Sequence, residues 1–168
     1  DLLEELLKRS PNHYGEFEDR VAAIVEDVRA RKDAAIFEYT EKFDRAHIDA
    51  SNIRVTEEEI REAYSLVDPQ LVAIIRKALV NIRSYHEKQK RTSLFDSKED
   101  GTLLGQKITP LSRVGVYVPG GKAVYPSSVL MNIVPAKVAG VGRIIMTTPF
   151  SPEGKVNPTT LVAANEAG

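Results

Sequence analysis

Apolar side chains recur every three or four positions through the first half of the chain, which is the spacing that places them on one face of a helix. The recurrence is interrupted near residues 31–33, and again before Thr56 and Asp68. It predicts successive helices, with NIRV at 52–55 as a short extended piece between them. The apolar stripes consist of Leu2, Leu3, Leu6, Leu7, Val21, Ile24, Val25, Val28, Ile36, Tyr39, Thr40 and Phe43, and later of Leu71, Ile74, Ile75, Ala78, Leu79 and Ile82.

Two of these helices have recognisable start signals. Thr56 is followed three positions later by Glu59, the arrangement of a capping box, in which each side chain accepts a hydrogen bond from the other residue's backbone amide. Asp68 is followed by Pro69, and this pair suits an N-cap and the first helical position. We expect the second of these helices to reach about Lys90.

From Thr92 onward the pattern changes to the alternation and short apolar runs that are typical of strands. Asp100-Gly101 is a common hairpin turn, so a short hairpin is expected at about 93–109. In the run VGVYV, strand alternation separates the side chains onto two faces. One face carries Val114, Val116 and Val118, and the other carries Gly115 and Tyr117.

A strand, a helix and a second strand then follow one another, in about the length of one βαβ unit. We expect the helix at about Pro126–Ala139, with Gly140 as its C-terminal cap and Pro135 bending or breaking it. The two strands should be parallel, with a right-handed crossover between them. The segment NPTTLVAANEAG predicts one more helix.

These elements predict an α/β fold, in which a helical N-terminal region precedes the start of an α/β domain. The predicted domains are residues 1–110, mainly helical with the hairpin near their end, and residues 111–168, an α/β domain truncated at its C-terminus. The chain stops within an apparent amphipathic helix, so we expect it to be a fragment of a longer protein.

Composition narrows the class of protein. Of the 168 residues, 42% are hydrophobic and 28% are charged, which is ordinary for a globular protein. The net charge of −1 gives no electrostatic reason to bind nucleic acid or a membrane surface. No apolar run reaches the roughly 18 residues of a membrane span, and the N-terminus is too charged for a signal peptide. The absence of cysteine excludes disulfides and suits a reducing compartment, so a cytoplasmic protein is expected.

The histidines do not indicate a metal site. His13, His47 and His86 have no second histidine or matching acid at ligand spacing, and HEKQK lacks the second histidine of a zinc-protease helix. We interpret all three as surface or packing residues. The carboxylates lie at predicted helix starts and on solvent faces, where capping, the helix dipole and i,i+4 pairs account for them.

The candidate for ligand binding is the segment YVPGG at the end of the first strand of the βαβ unit. Ligands of open α/β sheets bind beyond the carboxyl ends of strands. Pro119-Gly120 suits the middle of a type II turn, in which glycine has a positive φ, and Gly121 leaves the backbone open to close approach. Ser127 and Ser128 bring hydroxyls to a helix start, where anions are favoured. The segment is neither G-x-G-x-x-G nor a Walker loop, and a plain turn is an equal alternative from the residues alone.

The stretch RVGVYVPGGKAVYPSSVLMNIVPAKVAGVGRIIMTTP closely resembles the segment of histidinol dehydrogenases that reads RVG-Y-PGG, then YPSSVLMN, then P-AKVAGV. VEDVRARKDAAIFEYTEKFDR resembles the early helical region of the same family, and LGQKITPLSRVG resembles the lead-in to the motif. The resemblance runs from about Val21 onward. It implies two incomplete Rossmann-like domains with parallel sheets, and residues 111–168 would be the first part of one of them.

The resemblance also implies a function. Members of the family are NAD- and zinc-dependent homodimers that oxidise L-histidinol to L-histidine through an aldehyde, using two NAD, at the end of histidine biosynthesis. The tyrosine of the RVG-Y-PGG strand contacts NAD in the family, and that role falls on Tyr117. Pro119, Gly120 and Gly121 would shape the site beside it.

Two departures from the family pattern bear on this expectation. Lys32 stands before Asp-Ala-Ala where the family usually has glycine. The zinc ligands and the glutamate–histidine acid/base pair are expected beyond residue 168, so the resemblance implies no catalytic residue and no zinc ligand in this chain. We expect the chain alone to be inactive and to bind NAD weakly or not at all. The alternative is a non-catalytic α/β module that binds a nucleotide or a partner.

Overall fold

The computed structural model describes residues 15–120, 123–151 and 153–168, with side chains from residue 17 onward. The leucine stripe at the start of the chain, His13 and Gly121 lie outside the described residues. The chain divides into two compact units, one up to Ile53 and one from Arg54 to Gly168. The domain boundary proposed near residue 110 stays a prediction.

The described part of the first unit, from residue 15 onward, contains the helices α1 (Gly15–Arg31) and α2 (Asp33–Asp44), and the break predicted between them is confirmed at Lys32. Lys32 has φ 54° and ψ −128°, a backbone conformation that residues other than glycine rarely adopt. Ala35 of α2 is fully buried, whereas Phe17 of α1 remains largely exposed. The two helices are therefore joined by a single residue in a strained conformation.

A turn occupies residues 50–54, where the sequence predicted an extended piece. The Asp49 carboxylate accepts a hydrogen bond from the Ser51 amide at 2.7 Å, and Asn52 Oδ1 accepts one from the Asp49 amide at 2.7 Å. The Ile53 amide donates to the Asp49 carbonyl at 3.0 Å. The prediction was wrong because these short polar side chains bind the nearby backbone groups and close the turn.

The second unit begins with α3 (Glu57–Leu66), which starts at the predicted capping box. Thr56 Oγ1 accepts a hydrogen bond from the Glu59 amide at 3.2 Å, and the Glu59 carboxylate accepts one from the Thr56 amide at 2.7 Å. Both predicted bonds of the box are therefore present.

The next helix, α4 (Pro69–Glu87), also starts as predicted. Asp68 Oδ1 accepts a hydrogen bond from the Gln70 amide at 2.8 Å, and the proline stands at the first helical position, where no amide donor is needed. The helix ends slightly before the predicted Lys90, in a turn in which the Lys90 amide donates to the Glu87 carbonyl at 3.4 Å.

The predicted hairpin is formed by β1 (Leu94–Ser97) and β2 (Leu103–Gln106), which pair antiparallel within the expected residues 93–109. Asp100 Oδ1 accepts a hydrogen bond from the Thr102 amide at 2.9 Å, and Gly101 has φ 85°. The turn therefore has the chemistry that the Asp-Gly pair predicted. Every residue of both strands is exposed.

Phe95 and Gly105 face each other across this hairpin. A Cβ added at position 105 would overlap Cδ1 of Phe95 and would lie 2.7 Å from the Leu94 carbonyl oxygen. The aromatic ring thus occupies the space that a side chain at position 105 would need.

The predicted βαβ unit consists of β3 (Arg113–Tyr117), α5 (Pro126–Ala139) and β4 (Arg143–Thr147). The two strands are parallel and pair in register from Arg113 opposite Arg143 to Tyr117 opposite Thr147. The α/β fold class with a helical N-terminal region and a parallel sheet is confirmed.

Helix α5 continues through Pro135 without interruption, so the predicted alternative of a break was wrong. Gly140 caps the helix with φ 91°, as predicted, and the Val141 amide donates to the Ala136 carbonyl at 3.0 Å. The helix thereby retains a defined end despite the amide that the internal proline removes.

The last helix, α6 (Pro158–Ala167), completes a core that lies between the helices and one face of the β3–β4 sheet. Helix α5 packs against β3, α4 and α6, and α6 also packs against α3 and α4. Among the described residues, no helix combines the length and apolar character needed to cross a membrane. The fully or almost fully buried side chains of this unit include Val118, Val129, Leu130, Val134, Val162 and Ala163.

Candidate cofactor site at the strand ends

The carboxyl ends of β3 and β4 lie side by side, which is where a ligand of an open α/β sheet is expected. Tyr117 and Thr147 form the last residue pair of the ladder. One further hydrogen bond, from the Val118 amide to the Thr147 carbonyl at 3.0 Å, extends the pairing past the end of β3. Tyr117 and Val118, the first two residues of YVPGG, are thus held in place by the backbone pairing.

Strand alternation fixes the orientation of Tyr117. Its neighbours Val116 and Val118 are 8% and 0% exposed, whereas the tyrosine is 62% exposed on the opposite face. The buried valines anchor the strand, so the aromatic ring is presented to solvent without any rearrangement of the backbone. The two faces predicted for the VGVYV run are confirmed.

Gly120 serves a different purpose from the one predicted. Its φ is not in the positive range, so the type II turn proposed for Pro119-Gly120 was wrong. A Cβ at this position would lie 3.3 Å from Thr148 Oγ1 and 3.5 Å from Pro149 Cδ. Glycine is favoured here because the chain leaving β3 passes close to the residues that follow β4.

The start of α5 offers fewer free amide donors than the sequence indicated. Pro126 has no amide hydrogen, and Tyr125 provides no side-chain cap. The amides of Ser128 and Val129 donate to the Tyr125 carbonyl at 3.0 and 3.3 Å. Of the amides in this first turn, the Ser127 amide is therefore the one that does not donate to the Tyr125 carbonyl.

Each histidine with a described side chain lies near a polar residue two or three positions away in the sequence. His47 Nε2 lies 4.0 Å from Asp49 Oδ2, in the first unit, and His86 Nδ1 lies 2.7 Å from Gln89 Oε1 at the end of α4. Within residues 17–120, 123–151 and 153–168, no three His, Asp or Glu side chains gather as potential metal ligands.

A polar cluster joining α3, α4 and α6 was not found from the sequence. Arg76 binds both carboxylate oxygens of Glu166, at 2.9 and 2.7 Å, and the Tyr64 hydroxyl donates to the same carboxylate at 2.7 Å. Asn165 Nδ2 donates to the Tyr64 hydroxyl at 3.0 Å. No local pattern could have indicated this cluster, because its members come from opposite ends of the second unit.

The electrostatics of the cluster follow from these bonds. The Arg76 guanidinium and the Tyr64 hydroxyl lower the pKa of Glu166 against the opposing effect of burial. Burial raises the pKa of Tyr64. The cluster therefore fastens α6 to α3 and α4, and its residues lie on these helices and not on β3 or β4.

Known proteins resemble this chain over most of its length. A sequence profile described as Histidinol dehydrogenase matches residues 7–168. The histidinol dehydrogenase of Heliobacterium mobile is 58% identical over 149 residues, which are 89% of this chain and 35% of that protein. The one from Bacillus subtilis is 53% identical over 148 residues, which are 88% of this chain and 34% of that protein.

A solved structure gives the same result. The crystal structure of histidinol dehydrogenase from Elizabethkingia anophelis matches with a TM-score of 0.82 and 36% identity, covering 90% of this chain and 34% of that one. The chain thus spans about a third of the length of the relatives that it matches.

Proposed function

The chain belongs to the histidinol dehydrogenase family, and we propose that its βαβ segment forms the NAD-facing part of an enzyme that oxidises L-histidinol. The proposed reaction takes the alcohol to an aldehyde and the aldehyde, with water, to L-histidine. Each step delivers one hydride to NAD; the first releases one proton, and the second, which forms the carboxylate, releases two. The names of the relatives support the substrate, and the resemblance of the RVG-Y-PGG segment supports the cofactor.

The position of Tyr117 is the observation that carries the proposal. The ring is exposed at the carboxyl end of a parallel strand, and its backbone is fixed by buried neighbours and by the ladder to β4. An aromatic ring on a backbone held in this way can pack against a flat ring of a dinucleotide without further ordering of the backbone.

The surrounding backbone fits the same ligand. Gly120 lets the chain that leaves β3 pass close to Thr148, and as a glycine it adds no side chain of its own there. The Ser127 amide is the donor that we propose for a phosphate oxygen at the start of α5. NAD, when bound, supplies the hydride acceptor; the residues of this chain bind and orient it.

Zinc does not fit the described residues, since they contain no group of three metal-ligating side chains. We place no zinc ligand and no acid/base residue in this chain and assign them to other parts of a longer protein. By itself the chain is then expected to be inactive. The complete enzyme is proposed to be a cytoplasmic homodimer, as the family resemblance implies.

A chimera tests the function. This chain would replace the matching third of the Heliobacterium mobile relative, and NADH formation from L-histidinol would be followed with zinc present. We expect turnover. A chimera that folds, as judged by its circular dichroism, but forms no NADH would overturn the proposed activity.

The role of Tyr117 is tested in the same chimera. Tyr117→Ala should raise the KM for NAD about fivefold, since an aromatic contact of roughly 1 kcal/mol is lost. Tyr85→Ala is the matched control, because Tyr85 is also 62% exposed but lies on α4. Equal KM values in the two variants would contradict the NAD contact.

The isolated chain provides the complementary test. With L-histidinol, NAD and zinc it should give no NADH above a buffer blank. Measurable turnover by the purified 168-residue chain would contradict the assignment of the catalytic groups to other parts of the protein.

A further inference from the structure

The β3–β4 sheet is covered on one face only. Its inner face packs on the helices, and its other face, here called the open face, is exposed along its whole length. Parallel sheets are normally covered on both faces. The open face consists of Arg113, Gly115 and Tyr117 on β3 and of Arg143, Ile145 and Thr147 on β4.

Two arginines lie at one end of the open face. Arg113 and Arg143 are directly opposite each other in the parallel register. Neither forms an ion pair or a side-chain hydrogen bond with any other residue whose side chain the structure describes. Like charges directly opposite each other repel. Burying the two guanidinium groups under a covering segment would cost additional free energy unless an anion paired with them.

The middle of the open face is apolar and indented. Ile145 is 53% exposed and pairs with Gly115. No atom lies within 4 Å of the place where a Cβ of Gly115 would be. An apolar side chain of a covering segment can therefore rest on the backbone of β3 and against Ile145.

From this arrangement we infer that the open face docks a polypeptide segment that places a carboxylate between Arg113 and Arg143 and an apolar side chain over Gly115 and Ile145. The planar guanidinium groups match carboxylates in two-point hydrogen bonding. Tyr117 stays uncovered at the other end. The inference rests on membership of the family and not on the proposed activity.

The occupant is assigned to polypeptide that the longer relatives have outside the matched region. This chain covers 34% of the Elizabethkingia anophelis protein, so roughly two-thirds of such a protein is available to cover the face. The charge argument selects an acidic segment from it, because an uncharged cover would bury two unpaired guanidinium groups.

Chemical protection of the arginines tests the inference. Phenylglyoxal, which modifies exposed arginine, would be applied to the isolated chain and to the Heliobacterium mobile chimera, with modified sites identified by mass spectrometry. In the chimera, the modification rates of Arg113 and Arg143 should fall about tenfold, which corresponds to roughly 1.4 kcal/mol of protection. Arg91, exposed after α4, is the control for reagent activity in the isolated chain.

Other occupants give other results. Equal rates in the two proteins would contradict a covering segment. Protection that rises with the concentration of the isolated chain would assign the face to a second copy, and protection of the isolated chain by inorganic phosphate alone would assign it to a free anion. Either outcome would overturn the inference.

A photoreactive p-benzoylphenylalanine at position 145 of the chimera identifies the segment directly. The cross-linked peptide should come from outside the replaced third and should contain Asp or Glu. Arg143→Glu should lower the urea midpoint of the chimera, and Arg143→Lys should restore most of it. A cross-link within the replaced third, or equal midpoints for the two variants, would contradict the inference, even in a chimera that forms NADH.

Discussion

Two arginines fasten helices together in this protein, one in each compact unit. In the first unit, Arg31 joins α1 to α2 by binding the Asp27 carboxylate at 2.6 and 2.5 Å and Glu38 at 2.7 Å. In the second unit, Arg76 joins α4 to α6 by binding both oxygens of Glu166 at 2.9 and 2.7 Å. The bonds are alike in geometry, and the two links differ in their surroundings.

The carboxylates differ most in their contact with water. The side chain of Glu166 is 15% exposed and also accepts the Tyr64 hydroxyl, whereas the side chains of Asp27 and Glu38 are 27% and 60% exposed. Exposed ion pairs contribute roughly 0–1 kcal/mol, because water screens them and the side chains lose entropy. Shielding from water, and not the number of bonds, should therefore decide how much each arginine matters.

The largest effect is expected from removal of the shielded carboxylate. Glu166→Ala should lower the free energy of unfolding by about 1–3 kcal/mol, because it leaves Arg76 and the Tyr64 hydroxyl without their partner. Urea denaturation measures the change. Glu62→Ala is the control, since the Glu62 carboxylate is half exposed and lies 3.6 Å from Lys155. Equal losses of unfolding free energy in the two variants would show that shielding from water does not decide how much an ion pair contributes.

The strained residue beside Arg31 gives the next largest effect, and with the opposite sign. Lys32→Gly should stabilise the chain by about 1 kcal/mol, since the release of roughly 1–3 kcal/mol of backbone strain exceeds the entropy cost of glycine. Ala34→Gly, in the first turn of α2, should instead destabilise it by about 1 kcal/mol. The experiment compares thermal midpoints, and destabilisation by Lys32→Gly would mean that the backbone at this position is relaxed.

A smaller effect should appear in the pH dependence of stability. Because Arg76 lowers the pKa of Glu166 in the folded state, the ionised carboxylate stabilises the fold above its ordinary pKa of 4.5. This contribution is lost as the pH falls through the lower folded value. The difference in urea midpoint between wild type and Glu166→Gln should therefore shrink on acidification, and a constant difference would show that ionisation is not the source of the stability.

The smallest effect is expected at the Arg31 link, because its carboxylates Asp27 and Glu38 are 27% and 60% exposed and Glu166 is 15% exposed. The Arg31 and Tyr39 hydrogen bonds lower the pKa of Asp27 to about 2, so its charge persists to lower pH than that of an ordinary aspartate. Asp27→Asn should nevertheless change the urea midpoint less than Glu166→Gln does, and high salt should abolish the change. A loss that resists salt would indicate that the first unit depends on this link more than its exposure suggests.

Local chemistry explains which parts of the fold could be predicted from the sequence. The capping box at Thr56, the Asp68-Pro69 helix start and the Asp100-Gly101 turn each depend on residues within a few positions of one another. The alternation that exposes Tyr117 is equally local. Each of these predictions is confirmed, because the interactions that determine the structure lie inside the window in which the pattern was recognised.

Some predictions failed because the structure depends on contacts between residues that are distant in the sequence. Another failed because it gave the local effect of a proline too much weight against packing. Gly120 was assigned to a type II turn, but its surroundings are set by Thr148 and Pro149, which follow the next strand. The cluster around Glu166 joins residues about ninety or more positions apart, which no local pattern reports. The break at Pro135 was overestimated, since packing of α5 on its neighbours keeps the helix continuous.

The exposed hairpin contains a constraint on how its sequence can change over time. Because the ring of Phe95 fills the space above Gly105, almost any replacement of the glycine is harmful while the phenylalanine is present. Loss of Phe95 would remove that obstacle, although the Leu94 carbonyl oxygen would remain close. The two positions are therefore coupled through the ring, and a smaller residue at position 95 would ease a substitution at position 105, which the Leu94 carbonyl oxygen would still disfavour.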